Sequence, residues 1–415
     1  MLGLALQYLE QRGDGAARAY LAALPSEDRL IAALAVAGQA LRVPVAVRGG
    51  TCDVRGLAAW GNRLSWLLGT LAGDRGDVTI TTGGIWNSSG QLVVGGAGTG
   101  VLTISDGGQV YVTGTLSKGA GGTINLDSGG TLFIGTSGTT GTLLTDLAND
   151  GTLVFNRSNN STYTGAVSGS GELIKRGGGA LSLSGTSSYT GATTVEAGAL
   201  YVDGQLGETA VAVKTGALLG GVGTVEGMVN IEAGGILSPG SFTSGIASFK
   251  VGSLSLADGA TTRMTVTGTE AGVSYDQIAG IDGTSTIVYG GELELTLSGS
   301  YADYTTFHLF LNFTGGSSND FSGVTLNATG AYASLSGTFT YLAALNAWVS
   351  NWTTGHQRLE FSAVTGDLIV VPEPGALAIA AVGVGLCGGL MHRRRQKRRA
   401  ARGKTAEKAG RSAAA

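Results

Sequence analysis

The chain has 415 residues and a net charge of −3, with 43% hydrophobic and only 13% charged residues. This composition excludes an intrinsically disordered chain, because disorder combines high charge with low hydrophobicity. Glycine supplies 73 residues without a Gly-X-Y period, which excludes collagen and favours short strands joined by tight turns.

The charges are distributed unevenly along the chain. Ten of the 26 Lys and Arg residues follow His392, next to a single acid, Glu407, so the remainder carries 16 basic and 28 acidic residues. An acidic body argues against nucleic acid as its partner. Cys52 and Cys387 are far apart and have no CxxC or Cys/His spacing, so we predict neither a structural disulfide nor a metal site.

Residues 1–76 differ from the rest of the chain in being rich in Ala, Leu and Arg. Residues 2–20 are compatible with a short helix. The best apolar run, 30–41, follows Glu27, Asp28 and Arg29, whereas an export signal begins with basic residues. Two interpretations stay open for this segment: a misplaced translation start, or a small helical region that caps the fold.

From residue 77 to 148, apolar residues alternate with polar ones in short runs bounded by glycine. The expected inward pairs are Val78 and Ile80, Leu92 and Val94, Leu102 and Ile104, and Val110 and Val112. A period of two predicts strands with one buried face. Residues 102–112 align without a gap with 124–134, an offset of 22. This offset predicts a β-solenoid in which one repeat forms one coil and each coil stacks on the next.

Residues 149–204 form the most regular stretch and resemble the autotransporter-associated β-strand repeat. The matching segments are GSGELIK at 169–175, LSLSG at 181–185, YTG at 189–191, TV at 194–195 and AG at 197–198. The resemblance implies a right-handed parallel β-helix exposed outside the cell. The periodicity by itself predicts only strands and turns.

Residues 205–370 continue the pattern and are expected to contain further coils and a cap at the C-terminal end. Leu293, Leu295 and Leu297 alternate cleanly with polar residues, and the strands become longer and more aromatic toward 301–313. At about 22 residues per coil, we expect about 13 coils between residues 77 and 369.

The last part of the chain, 371–399, has three consecutive elements. Pro372, Glu373 and Pro374 precede an uncharged run, 375–391, which as a helix reaches about 26 Å, the lower end for a bilayer core. A basic stop follows, formed by Arg393, Arg394, Arg395, Lys397, Arg398 and Arg399. Basic residues stay on the cytoplasmic side of a span. We therefore predict a single transmembrane helix with the body outside and a basic cytoplasmic tail, 400–415.

This end resembles the PEP-CTERM sorting signal, named after the Pro-Glu-Pro motif. The resemblance implies recognition by an exosortase, an integral-membrane cysteine protease, with removal of the tail. It also implies transient inner-membrane anchoring and delivery to the surface of a Gram-negative bacterium that makes exopolysaccharide or biofilm. The tail beyond Arg399 is longer than is usual in the family. An alternative stays open in which the span is a permanent anchor and the prolines only form a rigid exit from the last strand.

Residues with catalytic chemistry are sparse. The acids Asp276, Asp282, Glu292 and Glu294 do not cluster with the Lys or Arg that a polysaccharide lyase would use. We expect Glu292 and Glu294 on a solvated strand face and Asp276 at a turn or strand edge. The glycine runs lack the Lys-Ser/Thr ending of a phosphate loop. The sequence thus predicts no catalytic, cofactor-binding or metal-binding residues.

Taken together, the sequence predicts an all-β protein: a right-handed parallel β-helix with a short helical N-terminal segment and a C-terminal transmembrane helix. We interpret it as a non-enzymatic surface or extracellular-matrix protein, structural or adhesive, whose outward Ser, Thr and Asn contact envelope glycans or exopolysaccharide. One alternative is a carbohydrate-active β-helix enzyme. Another is a true autotransporter passenger, which would need a C-terminal barrel of alternating strands.

Overall fold

The computed structural model describes residues 45–48, 51–53, 75–241, 245–314, 320–353 and 355–373. This part of the chain consists of β-strands with one short 3-10 helix, Gly330–Leu335. Among these residues, no helix combines the length and apolar character needed to cross a membrane. The predicted helix at 2–20 and the predicted span at 375–391 lie outside the described residues.

In chain order the strands are β1 (Val45–Arg48), β2 (Thr51–Asp53), β3 (Arg75–Thr81), β4 (Ile85–Ser88), β5 (Gln91–Val94), β6 (Thr99–Ile104), β7 (Gln109–Val112), β8 (Thr115–Lys118), β9 (Gly122–Leu126), β10 (Thr131–Ile134), β11 (Thr142–Leu143), β12 (Leu147–Asn149), β13 (Thr152–Asn156), β14 (Ser161–Tyr163), β15 (Val167–Ser168), β16 (Glu172–Arg176), β17 (Ala180–Leu183), β18 (Thr186–Ser187), β19 (Thr193–Val195), β20 (Ala199–Val202), β21 (Gln205–Leu206), β22 (Val211–Val213), β23 (Leu218–Gly220), β24 (Thr224–Ile231), β25 (Ile236–Leu237), β26 (Ser248–Leu256), β27 (Thr261–Val266), β28 (Gln277–Gly280), β29 (Ile287–Val288), β30 (Glu292–Leu297), β31 (Thr306–His308), β32 (Phe310–Leu311), β33 (Gly323–Ala328), β34 (Gly337–Thr338), β35 (Thr340–Leu342), β36 (Ala347–Val349), β37 (Gln357–Ser362) and β38 (Asp367–Pro372).

Strands from successive coils pair in parallel and give the solenoid three faces. The first face contains β1, β3, β6, β9, β12, β15, β18 and β21, then the beginnings of β24 and β26, and finally β28 and β32. The second face contains β2, β4, β7, β10, β13, β16, β19 and β22, then the ends of β24 and β26, and finally β29. The third face contains β5, β8 and β11, then β14, β17, β20, β23, β25, β27, β30 and β33. This arrangement confirms the all-β class and the stacked parallel coils.

The inward residues form continuous apolar columns through the stack. Leu102 pairs with Ile124 and Ile104 with Leu126, so the register has the 22-residue offset predicted from the sequence. The four inward pairs expected between 77 and 112 are fully buried, apart from Val78, which is partly buried against the core. The hydrophobic stabilisation, about 25 cal/mol per Å² of buried apolar surface, is therefore distributed along the stack and not concentrated in one globular core.

A glycine pair in each early coil explains how the chain turns between two faces. The first glycine of each pair, Gly107 or Gly129, has a φ of 83° or 76°, which L-residues rarely adopt. At the second, Gly108 or Gly130, a Cβ would lie 2.1 or 2.2 Å from a carbonyl oxygen of the preceding coil. The first glycine is thus required by the backbone angle and the second by the close stacking.

Coil length varies along the chain. Partner residues on the second face are 24 apart in an early coil, 18 apart in the middle and 33 apart near the C-terminal end (Ile85–Gln109, Val211–Val229 and Leu254–Ile287). From β3 to β32 the first face contains 11 strands, fewer than the 13 coils expected. The expectation was too high because the last coils are longer and the chain ends in a different sheet.

That final sheet is antiparallel, with the order β31-β38-β37-β36-β35. Phe361 on β37 contacts Phe310 of β32 and Phe321, which precedes β33. At the other end, β1 and β2 pair in parallel with β3 and β4. The stacked strands therefore extend into the segment before residue 77.

Candidate binding surfaces

The acids singled out in the sequence do not form a common site in the described part of the chain. Glu292 and Glu294 point outward from β30, as expected, and Glu294 accepts a hydrogen bond from Arg263 Nε at 2.8 Å. Asp282 lies in an exposed turn, where the hydroxyl and amide of Thr284 each donate to its Oδ1 at 2.7 Å and lower its pKa. These contacts are those of solvated structural residues.

Asp276 lies between a turn and β28, as expected, but the residue is only 1% exposed. Its Oδ1 accepts the amide of Ala247 at 2.9 Å and its Oδ2 accepts the amide of Thr265 at 2.7 Å. Burial raises the pKa of Asp276 to about 6. The carboxylate therefore joins three segments through main-chain amides, a role that the sequence did not reveal.

The predicted sorting motif begins at the end of β38, an inner strand of the final sheet. Pro372 ends β38 opposite Gln357, and the amide of Glu373 donates to the carbonyl oxygen of His356 at 2.6 Å. The Glu373 carboxylate is also hydrogen-bonded to Nδ1 of His356. Pro374 and the basic stop, Arg393, Arg394, Arg395, Lys397, Arg398 and Arg399, lie outside the described residues.

The other titratable groups give no metal centre. His308 Nδ1 lies 2.7 Å from Asp367 Oδ1 on the outer side of the final sheet. Across the described ranges, no three or more His, Cys, Asp or Glu side chains lie close enough together to hold a metal ion. The candidate functional features are the outward faces of the coils, whose side chains repeat in register.

On the first face, outward residues align in one column of mainly polar side chains. The hydroxyl column, as we call it, consists of Thr79, Thr103, Asn125, Ala148 and Ser168, which are register partners in turn. None of them is buried. Neighbouring strands are about 4.8 Å apart, so hydroxyl and amide groups that both donate and accept recur at this interval.

On the second face, the central outward column is apolar from Tyr111 to Ile174 and follows the polar Asn87. The apolar column consists of Tyr111, Phe133, Val154 and Ile174, again in register. The rings of Tyr111 and Phe133 stack with centroids 4.3 Å apart and an interplanar angle of 4°. Val154 points outward yet is only 1% exposed. Both stacked rings are partly exposed, so they form part of the outer surface of the second face.

The same line continues toward the C-terminal end with smaller residues. The small column consists of Thr194, Ala212, Asn230 and Ser255, each the register partner of the next, and Val288 follows at the end. Val288 is 42% exposed. The second face thus changes from bulky to small along its length and ends on an exposed apolar residue.

Next to this line lies a charged column, formed by Arg176, Glu196, Lys214 and Glu232, that alternates in sign from coil to coil. Main-chain hydrogen bonds continue the strand ladder through Glu196, Lys214 and Glu232 and so align the four residues. Arg176 Nε lies 2.5 Å from Glu196, and Lys214 Nζ lies 2.5 Å from Glu232. The hydrogen bond to Glu196 raises the pKa of Arg176. All four side chains are 36–45% exposed.

Sequence reasoning missed a buried cation one residue before this column. Lys175 faces inward and is 2% exposed. Its Nζ donates to the carbonyl oxygens of Arg176, Gly177 and Ala197 at 2.9, 2.9 and 3.0 Å. Burial lowers the pKa of Lys175 to about 8. Leu173, two residues earlier on the same strand, is also buried. Side chains two apart on a strand point to the same face, so this alternation was the signal that would have revealed Lys175 as inward.

Comparison with known proteins identifies the middle of the chain. Residues 173–202 match the model of the passenger-associated-transport-repeat family. The chain is also similar to the adhesin BmaC autotransporter of Brucella suis biovar 1 (strain 1330), with 40% identity over 84 residues. That alignment covers 20% of this chain and 2% of the relative, so the chain spans a small part of the relative's length. These similarities confirm the predicted autotransporter-associated repeat.

Proposed function

We propose that this chain is an exported surface or extracellular-matrix protein of a Gram-negative bacterium, with a structural or adhesive role and no catalytic activity. The observation that carries the proposal is the long stack of parallel coils, which repeats outward side chains in register from coil to coil. Repetition of weak contacts on one rigid body gives avidity without a deep pocket. The repeat match and the similarity to an autotransporter adhesin support this role.

For the partner, we propose envelope glycans or exopolysaccharide bound along the hydroxyl column. Sugars present many hydroxyl groups, and side-chain hydroxyls and amides can donate to and accept from them. Each such contact is weak in water, because it replaces a hydrogen bond to solvent. Repetition of the contacts along the first face would supply the affinity.

For export, we propose sorting by an exosortase through Pro372, Glu373 and Pro374. In this scheme residues 375–391 span the inner membrane before processing, and Arg393 to Arg399 hold the tail in the cytoplasm. Glu373 directly follows the last strand of the final sheet, so the motif would begin where the folded body ends. The fold would thus be complete before the processing site.

The adhesive role is tested with the full chain and a polysaccharide-coated surface. We expect Thr103→Val with Asn125→Leu, on the hydroxyl column, to weaken retention at least about fivefold, because each lost hydrogen bond is worth about 1 kcal/mol. Thr115→Val with Thr142→Val, outward register partners on the third face, is the matched control. Equal retention of both variants would contradict the glycan proposal, and turnover of the polysaccharide would favour the enzyme alternative.

The sorting role is tested by mass spectrometry of the mature surface protein. We expect a product that lacks Arg393 and everything after it, and we expect Glu373→Ala to retain the tail. An intact C-terminus on the surface of cells that carry the unsubstituted chain would overturn sorting by cleavage and favour a permanent anchor.

A further inference from the structure

The second face has a pattern that the proposed function does not use. We infer that this face binds the same face of a second copy of the chain, with the two copies antiparallel. The inference goes beyond the proposed function, because it rests on the side chains of the second face and not on export or on glycans.

The first argument comes from the order of charges in the charged column. Consider a two-fold axis that lies in the plane of the face and runs at right angles to the long axis of the stack. It places each column of one copy opposite the same column of the other copy, with the residues in reversed order. With the axis midway between Glu196 and Lys214, Glu196 of one copy faces Lys214 of the other. By the same operation, Arg176 faces Glu232, so every charge meets one of opposite sign. Such isologous pairing is the commonest arrangement of homodimers.

The second argument comes from the sizes of the residues in the central line. The same axis lies between Thr194 and Ala212, the two small residues at its centre. The pairs formed across it are Thr194–Ala212, Ile174–Asn230, Val154–Ser255 and Phe133–Val288. Ile174 therefore faces the smaller Asn230, and the exposed Val288 lies opposite Phe133, whereas Val154 is already covered within its own copy and adds no contact.

The third argument is the area available. Between the strand of Phe133 and that of Val288 the described second face contains eight strands. The outward side chains form the charged column, the central line and a third column that runs through Thr131, Thr152 and Glu172. At about 4.8 Å per strand and a width of about 20 Å for these three columns, each copy would bury about 750 Å². This is close to the roughly 800 Å² per partner of a standard stable interface.

The competing explanation is that the charged column stabilises only the stacking of coils within one chain. Two double variants separate the explanations, because the intramolecular and intermolecular pairs differ. Lys214→Glu with Glu232→Lys keeps opposite charges in both intramolecular pairs but places like charges opposite each other across the two-fold axis. Glu196→Lys with Lys214→Glu does the reverse: it breaks the intramolecular pairs and keeps opposite charges across the axis.

The experiment measures the mass of the full chain in density-matched detergent by sedimentation equilibrium, over a range of concentrations. We expect a monomer–dimer equilibrium that is weakened at least tenfold by Lys214→Glu with Glu232→Lys, since opposed like charges disfavour association. Glu196→Lys with Lys214→Glu should keep the association. Monomers at every concentration, or an association that the first variant leaves unchanged, would overturn the inference.

Polysaccharide retention is measured on the same samples, so the two proposals fail separately. A chain that remains monomeric and still binds polysaccharide overturns the dimer and leaves the proposed function standing. A chain that dimerises but does not bind polysaccharide supports the dimer and overturns the glycan proposal. If the second-face variants change polysaccharide binding and the chain stays monomeric, a glycan occupies this face and the inference is wrong.

Discussion

The middle coils and the C-terminal region both consist of coils whose strands pair in parallel, but their buried cores differ. Between β10 and β24 the coils take 18 to 21 residues and bury mainly Val, Leu and Ile. After β26 they take up to 33 residues and bury two groups of contacting rings: Tyr275, Tyr301, Phe307 and Tyr332 in one, and Tyr289, Phe310, Phe321 and Phe361 in the other. Longer coils enclose more volume, and rings fill it at the density that protein interiors require.

The largest expected effect tests this difference in the core. Phe307 is fully buried, and its ring makes edge contacts with Tyr275 at 5.5 Å and Tyr301 at 5.0 Å. We expect Phe307→Ala to lower the free energy of unfolding by about 3–5 kcal/mol, because it leaves a large cavity. Urea denaturation measures the loss.

Hydrogen exchange then shows where the loss acts. Repeats interact mainly with their neighbours, so we expect reduced protection between β26 and β38 and little change in the middle coils. Leu200→Ala, a buried change in a short coil, is the matched control and should reduce protection around β20. The same exchange pattern in both variants would contradict a core that differs between the two regions.

The sequence predicted the aliphatic columns of the stack well, because there apolar and polar residues alternate regularly between glycine turns. The pairing of Leu102 with Ile124 and the burial of Leu181, Leu200 and Leu293 all follow from alternation with a period of two.

Other features follow from packing between coils and not from alternation. Coil length depends on turns that have no fixed residue pattern, so the change from 18 to 33 residues was not predictable. The contact of Lys175 with Ala197 and that of Asp276 with Ala247 depend on main-chain groups that only the stacked coils bring near. The stacking of Tyr111 on Phe133 likewise needs the register of two coils.

Lys175 provides the next prediction, in the middle coils. Its pKa is about 8 in the folded chain against an ordinary value of 10.5, so the unfolded chain binds more protons between these values. Stability should therefore rise as the pH is raised from 8 to 10.5, by about 3 kcal/mol for this group. The difference in free energy of unfolding between the natural chain and Lys175→Met isolates it. A difference that does not change with pH would show that burial leaves the ammonium group unaffected.

Asp276 in the C-terminal region should show the opposite dependence. Its pKa is about 6 when folded against an ordinary value of 3.8, so the folded chain binds more protons between these values. Raising the pH from 4 to 6 should then reduce stability by about 2–3 kcal/mol. Comparison with Asp276→Asn at each pH separates this group from the other acids. Stability that instead rose across this window would mean that the amides of Ala247 and Thr265 outweigh the cost of burial.

The smallest effect concerns the exposed ion pairs, where the two regions should behave alike. Arg176 pairs with Glu196 in the middle coils and Arg263 with Glu294 near the C-terminal end, all partly exposed. We expect Arg176→Met and Arg263→Met each to cost less than about 1 kcal/mol of stability, and less still in high salt. Only Arg176 lies on the second face opposite Glu232 in the antiparallel pair, so only its substitution should also weaken association. If Arg263→Met weakened association equally, the charges of the second face would not determine how two copies meet.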